Sequence, residues 1–167
     1  MFTMRPGRPS AVAVLPALLV GAYPNVGNLA WLAEEHGVEA VVCLQDDFDL
    51  AAKRLSLAAL QAECRRLGLA HHRVPIPDGD ADVMASRLPE LVGLLGDLIA
   101  AGRRVYLHCN GGMNRAPTAA IAYLHVTRGH ALAEATRLVK SRRHCVPLAG
   151  ALEAVYGADT RLRPRRR

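Results

Sequence analysis

The chain has 167 residues, 51% of them hydrophobic and 22% charged, a length that suits one domain with a sizeable core. Ordinary Gly and Pro counts and four Cys exclude collagen-like and disulfide-scaffold classes, the apolar content excludes disorder, and 4% aromatics argue against a stacking platform for single-stranded nucleic acid. The formal net charge of +6 sits at the ends, because five Arg in 161–167 (RLRPRRR) with Arg5 and Arg8 leave −1 for residues 11–160, so no nucleic-acid partner is expected.

In chain order, Arg5 and Arg8 precede the apolar run AVAVLPALLVGA, which has signal-peptide length. Pro16 interrupts that run, and residues 17–21 (ALLVG) read as a buried strand instead. Residues 1–10 are expected to be a flexible leader. Val26, Leu29, Ala30 and Leu32 give residues 26–36 the apolar side of a helix, and 39–44 (EAVVCL) is an apolar run of strand length. The polar patch QDDFD follows as a loop in which Phe48 and Asp46–Asp49 could rim a pocket. Ser56 could cap a helix through about Leu67, and residues 70–76 form a weaker strand ended by the turn residues PDGD. Leu88, Leu91, Val92, Leu95, Leu98 and Ile99 recur at helical spacing, with Pro89 in the first turn and Gly102 past the end. A strand over 104–108, a helix over 115–127 that is apolar nearly all round, and amphipathic helices over 131–143 and 148–156 complete the pattern. Alternating strands and helices predict a single-domain α/β fold with a central, mostly parallel sheet flanked by helices. No stretch approaches a membrane span. The irregular spacing of Cys43, Cys64, Cys109 and Cys145 points to a reducing cytoplasm.

The segment VYLHCNGGMNRAPTAA (105–120) carries the chemistry. A strand ending at His108–Cys109 runs into a glycine-containing loop, and Arg115 and Pro117 open a helix. Unpaired N–H groups and the helix dipole then point at one place, an anion site. Gly111 and Gly112 allow close approach, and Asn114 tolerates the left-handed conformation such a loop can need. Cys109 lies in the positive potential that favours a thiolate, and Arg115 offers a planar fork for two phosphate oxygens. With nineteen Arg and four Cys, chance alone supplies roughly half an occurrence of Cys-x5-Arg, so the flanking strand, glycines and helix carry the weight.

HCNGGMNR resembles the His-Cys-x5-Arg signature loop of the protein tyrosine phosphatase superfamily, and the short chain resembles its dual-specificity branch. LLVGAYPN is similar to the opening strand of that branch. GVEAVVCLQDDFDL, KSRRHCVP and the RAP after the signature Arg are most similar to plant glucan phosphatases. The resemblance implies a phosphatase domain over 11–158 and a basic tail over 159–167. It implies Cys109 as nucleophile, Arg115 as phosphate clamp, His108 as the group orienting the thiolate, and the amides of Asn110, Gly111, Gly112, Met113, Asn114 and Arg115 as phosphoryl ligands. It also implies a general acid about thirty residues upstream. Aligning RLP (87–89) with the helix start of the relatives selects Asp78, with Asp80 as runner-up and Asp82 as a solvated turn residue. The match of Cys43 to a strand cysteine of the glucan phosphatases implies a reversible Cys43–Cys109 disulfide, set against a plain core role for Cys43.

Three departures stand out. Ala116 replaces the usual Ser or Thr after the Arg, and Thr118 lies too far along to substitute, which leaves the thiolate less stabilised and slows the second step. Gly111 and Asn114 replace an Ala and a Gly of the glucan phosphatase loop. Gly79 and Val146 stand where sugar-channel aromatics would be. Pairing His108–Cys109 with His144–Cys145 as a zinc site fails on spacing, so neither metal nor cofactor is expected. Cys64 reads as a partly buried helix residue, His71 and His72 as partly exposed, and Trp31 and Tyr123 as core. The Arg tail reads as a solubilising end, or as an attractor of anionic substrate or membrane. The sequence therefore predicts a cytoplasmic, monomeric phosphomonoester hydrolase. Its expected substrate is phosphoprotein (pTyr, pSer or pThr), with a carbohydrate, lipid or other non-protein phosphate, or phosphate binding without catalysis, as alternatives.

Overall fold

The computed structural model describes residues 7–157; residues 1–6 and the tail over 158–167 lie outside that range, along with the expectations placed on them. Five strands, β1 (Ala11–Leu15), β2 (Leu18–Gly21), β3 (Ala40–Cys43), β4 (Ala70–Arg73) and β5 (Val105–His108), form one sheet in the order β1-β2-β5-β3-β4. β1 pairs with β2 antiparallel, and the other pairings are parallel. The predicted α/β architecture is therefore the observed one, with an antiparallel edge. That edge strand is a hairpin partner whose turn contains Pro16, the residue that breaks the apolar run.

Strand alternation sorts the side chains onto two faces. Leu18, Val20, Ala40, Val42, Val105 and Leu107 face one core, and Leu19, Val41 and Tyr106 face the other. The second core is closed by α1 (Val26–His36) and α3 (Leu57–Leu67), through Leu29, Leu32, Leu60 and a fully buried Cys64. The first is closed by α4 (Ala81–Ala100), α5 (Arg115–Arg128), α6 (Leu132–Arg142) and α7 (Ala149–Tyr156). α5 is buried from Arg115 to His125, as its all-round apolar character predicts, and Tyr123 lies in its core. Trp31 is half-buried, with the Arg8 guanidinium 5.0 Å from its ring centroid. His71 and His72 are half-buried on the edge strand β4.

Besides β1, for which no strand was expected, two elements differ from expectation. QDDFD is not a loop: Asp46 and Asp49 cap each other's backbone N–H groups reciprocally and start a short helix, α2 (Asp47–Ala52). The α4 helix begins at Ala81 under an Asp80 cap, so Pro89 and the RLP segment lie more than a turn inside it. An interior Pro costs about 3 kcal/mol. Burial of Met84, Leu88, Leu91 and Leu95, each worth roughly 1.5–3 kcal/mol, outweighs that cost while Pro89 faces solvent. No helix among the described residues is long and apolar enough to cross a membrane.

The central strand β5 places its carboxyl end between Gly21 of β2 and Cys43 of β3, both in register with His108. The segment after it emerges from the crevice at the carboxyl ends of the parallel strands, the usual ligand position in such sheets.

Candidate active site

Residues 109–114 leave β5, arch over the crevice and enter α5 at Arg115. Each carbonyl of the arch is held from outside. Asn110 O accepts from Tyr23 N at 2.9 Å, Met113 O from Val146 N at 2.7 Å, and Asn114 O from Thr118 N and Oγ1. Gly111 O and Gly112 O both accept from Arg143. Because a trans peptide directs its N–H opposite to its C=O, the amides of residues 111–115 turn inward. None of the N–H groups of 110–115 finds a protein acceptor among the described residues. The left-handed position is Gly112, at φ 65, and not Asn114, whose φ is −129. Asn114 instead donates Nδ2 to Val146 O at 2.7 Å, closing the loop onto the segment after α6.

The Arg115 side chain is fully buried. Its Nη1 donates to Asp49 Oδ2 and to Ile76 O, both at 2.6 Å. Nε and Nη2, the opposite edge of the guanidinium, have no hydrogen-bond partner; the Asp78 carboxylate lies 3.4 Å from Nη2. That free edge offers two parallel N–H groups, the geometry that takes two oxygens of a phosphate. Asp49 is itself 2% exposed, and its other oxygen accepts from Asn110 Nδ2 at 2.7 Å. Burial would raise its carboxyl, but the Arg115 hydrogen bond, the Asp46 backbone and Asn110 together hold it below the usual carboxylate range. Gln45, wholly buried, fixes the remaining side of Asn110 through Nε2 to Oδ1 at 2.8 Å.

His108 is buried, and burial lowers its pKa to about 4, so the ring is neutral near pH 7. Its Nδ1 lies 3.1 Å from Cys109 O; a carbonyl only accepts, so Nδ1 carries the proton and pins the Cys109 peptide. Cys109 is 2% exposed and lines a cleft of about 340 Å³ with Asp78, Asn110, Met113 and Arg115. Asp80 is not in the cleft: its carboxylate caps α4 by accepting from Val83 N at 2.9 Å. Asp82 is exposed in the first turn of α4. Ala116 is buried, and Thr118 Oγ1 serves Asn114 O and Leu148 N, away from the thiol. Cys43 is buried, its thiol pushed up to about 11 by desolvation and weakly bonded to Gln45 Oε1 at 3.8 Å. All four cysteines are unpaired. Among the described residues no three His, Cys, Asp or Glu side chains converge as a metal site.

The site thus brings together Cys109, Arg115, Asp78 and the 110–115 amides. It gives new roles to three residues: Asp49, expected only to rim a pocket, pairs with Arg115, while Gln45 and Arg143, expected in no role, brace the loop. Asp49 was locally visible only as the second half of an Asp-x-x-Asp capping pair, whereas Gln45 and Arg143 have no local signature at all.

The family model for the dual specificity phosphatase catalytic domain matches residues 31–154, and the chain belongs to that family. It is similar to the amyloplastic phosphoglucan phosphatase DSP4 of Castanea sativa, with 30% identity over 84% of this chain and 38% of that protein. It is also similar to human dual specificity phosphatase 28, at 30% identity over 83% of this chain and 70% of the relative. Among solved structures, Tk-PTP in its active form superposes with a TM-score of 0.76 at 26% identity, covering 93% of this chain and 99% of that one. The chain spans less than half the length of the chestnut protein.

Proposed function

We propose that this protein hydrolyses phosphomonoesters through a phosphocysteine, most readily on phosphoprotein. The observation that carries the reading is the cradle: inward amides without acceptors and the free edge of a buried guanidinium surround Cys109. In the first step a Cys109 Sγ–P bond forms as the ester P–O bond breaks, and Asp78 gives its proton to the departing oxygen. In the second step Asp78, now a carboxylate, takes a proton from water, whose oxygen attacks phosphorus and releases phosphate and the thiolate. Neutral His108 holds the Cys109 peptide in place throughout. The proposed setting is a reducing cytoplasm, in keeping with four unpaired cysteines.

An aryl phosphate assay tests the catalytic reading. Wild-type turnover that is abolished in Cys109→Ser is expected; turnover surviving in that variant removes Cys109 as nucleophile, and a wild type without turnover leaves phosphate binding as the function. Similarity to a phosphoglucan phosphatase supports a second reading, a carbohydrate phosphate substrate. No aromatic side chain lines the described cleft to stack on a sugar, which is why phosphoprotein is placed first. Comparing phosphate release from phosphopeptides and from phosphoglucan decides between them. Under peroxide, Cys43 is the proposed disulfide partner of Cys109: both thiols are oxidised and peroxide is reduced to water. Thiol-reversible inactivation that is unchanged in Cys43→Ser would remove that role.

A further inference from the structure

Two of the five outward carbonyls of the loop depend on a single side chain. Arg143, the cap residue just past α6, donates Nε to Gly112 O at 2.6 Å and Nη2 to Gly111 O at 2.8 Å. The rest of its fork goes to Ser10, with Nη2 to Oγ at 2.9 Å and Nη1 to O at 3.4 Å. All four acceptors are neutral, and no carboxylate pairs with Arg143 among the described residues. Among the described residues the charge therefore has no carboxylate partner behind the loop.

These bonds act where the loop is weakest. The outer carbonyls, of Asn110 and Met113, are tied by backbone N–H groups of neighbouring segments. The peptide joining Gly111 to Gly112 is flanked by two residues without a Cβ, so its rotation meets the least steric resistance. Holding the Gly111 and Gly112 carbonyls toward Arg143 directs the amides of Gly112 and Met113 the other way. The loop is a wall between two clefts. Cys109 and Arg115 line one; Ser10, Arg142 and Arg143 line the other, of about 500 Å³. Amides directed away from Arg143 therefore face Cys109. The contact is close enough that a Cβ on Gly112 would stand 2.5 Å from Arg143 Nη2.

We propose that Arg143 is a positioning residue for anion binding, a fork that holds two peptide units of the loop facing the phosphoryl oxygens and anchors them to Ser10. The proposal rests on residues 110–115 being the phosphate cradle. A lysine cannot replace the fork, since an ammonium is a point donor without two fixed parallel N–H groups.

Tungstate, a tetrahedral dianion, tests the positioning without any turnover. Its dissociation constant is measured by calorimetry for wild type, Arg143→Met, Arg143→Lys and Ser10→Ala, alongside the ligand-free melting temperature. Arg143→Met is expected to bind roughly tenfold more weakly or worse, Arg143→Lys in between, and Ser10→Ala about two- to threefold more weakly. A purely structural role would lower the melting temperature and leave the tungstate constant of the folded variant unchanged. Arg143→Met binding tungstate within about twofold of wild type overturns the proposal; if that variant does not fold, wild-type affinity in Arg143→Lys does so. A wild type that binds tungstate without hydrolysing aryl phosphate removes the catalytic reading alone. A wild type that binds no tungstate removes both.

Discussion

The two loops that meet over Cys109 are built on opposite plans. Residues 110–114 have every carbonyl held by an outside donor, and two of their side chains are hydrogen-bonded as well. The turn at 77–80 is closed by one backbone bond, Asp80 N to Pro77 O, and its Pro77, Asp78 and Gly79 are exposed. The contrast separates two tasks. The loop carbonyls are held before a ligand arrives, so a cradle there costs no reorganisation, whereas Asp78, the proposed acid, sits on an exposed turn with a single backbone restraint. Asp78 lies near the free Nη2 of Arg115, where a phosphoryl oxygen would displace it and leave its carboxyl beside the departing group.

The largest way to break this division is on the open side. Asp78→Asn is expected to lower kcat on a phosphate ester with a poor leaving group by roughly 10²–10⁴-fold while tungstate affinity holds. Asp80→Ala should cost only the α4 cap, about 1 kcal/mol in unfolding; a larger rate loss there than in Asp78→Asn would exchange their roles.

On the fixed side, Asp49→Ala removes the carboxylate partner of a fully buried guanidinium. Denaturant unfolding should show a loss of about 3–5 kcal/mol, together with weaker tungstate binding. Wild-type stability in that variant would mean that the Ile76 and Leu44 carbonyls suffice to hold Arg115.

Alanine at the left-handed glycine of each loop sharpens the comparison directly. At Gly112, φ 65, a Cβ would stand 2.5 Å from the Gly21 carbonyl carbon; at Gly79, φ 73, it would meet nothing within 4 Å. Gly112→Ala should therefore cost about 10²-fold in kcat/KM, the scale of an ångström of misplacement. Gly79→Ala should add only about 1–2 kcal/mol of local strain. Equal rate losses in the two variants would erase the distinction between a fixed and an open loop.

Burial of His108 on the fixed side adds a pH dependence of stability. His108 binds its proton more weakly folded, at about 4, than unfolded, at 6.5, so the unfolded chain takes up protons first as pH falls. Stability is then lost from pH 6.5 downward, by about 2 kcal/mol at pH 5, and His108→Gln should flatten that limb. The Asp49 carboxyl, held below its usual range, adds a loss of the same sign only at still lower pH.

Particular residues show what was legible in the chain and why. Strand β5, the arch and the start of α5 are contiguous, so His108–Arg115 could be read as one unit, and their geometry follows from backbone directions. The polar patch over 45–49 was misread because α2 is short and its helical signal lies in a capping pair, with little apolar periodicity. Pro89 misled the start of α4, since burial of a leucine-rich face overrides one missing hydrogen bond on the solvent side.

The sequence by itself determined that a thiol, a ring of amides and a guanidinium would line one cleft, because all of them lie within seven consecutive residues. Only the tertiary structure decided which carboxylate lines the cleft and what holds the loop. Asp80 is spent on a helix cap whose position depends on the packing of α4. Asp49 reaches Arg115 across 66 residues and Arg143 reaches the glycines across about thirty. Contacts between segments that far apart are set by how the sheet and helices assemble, and no local pattern in the chain encodes them.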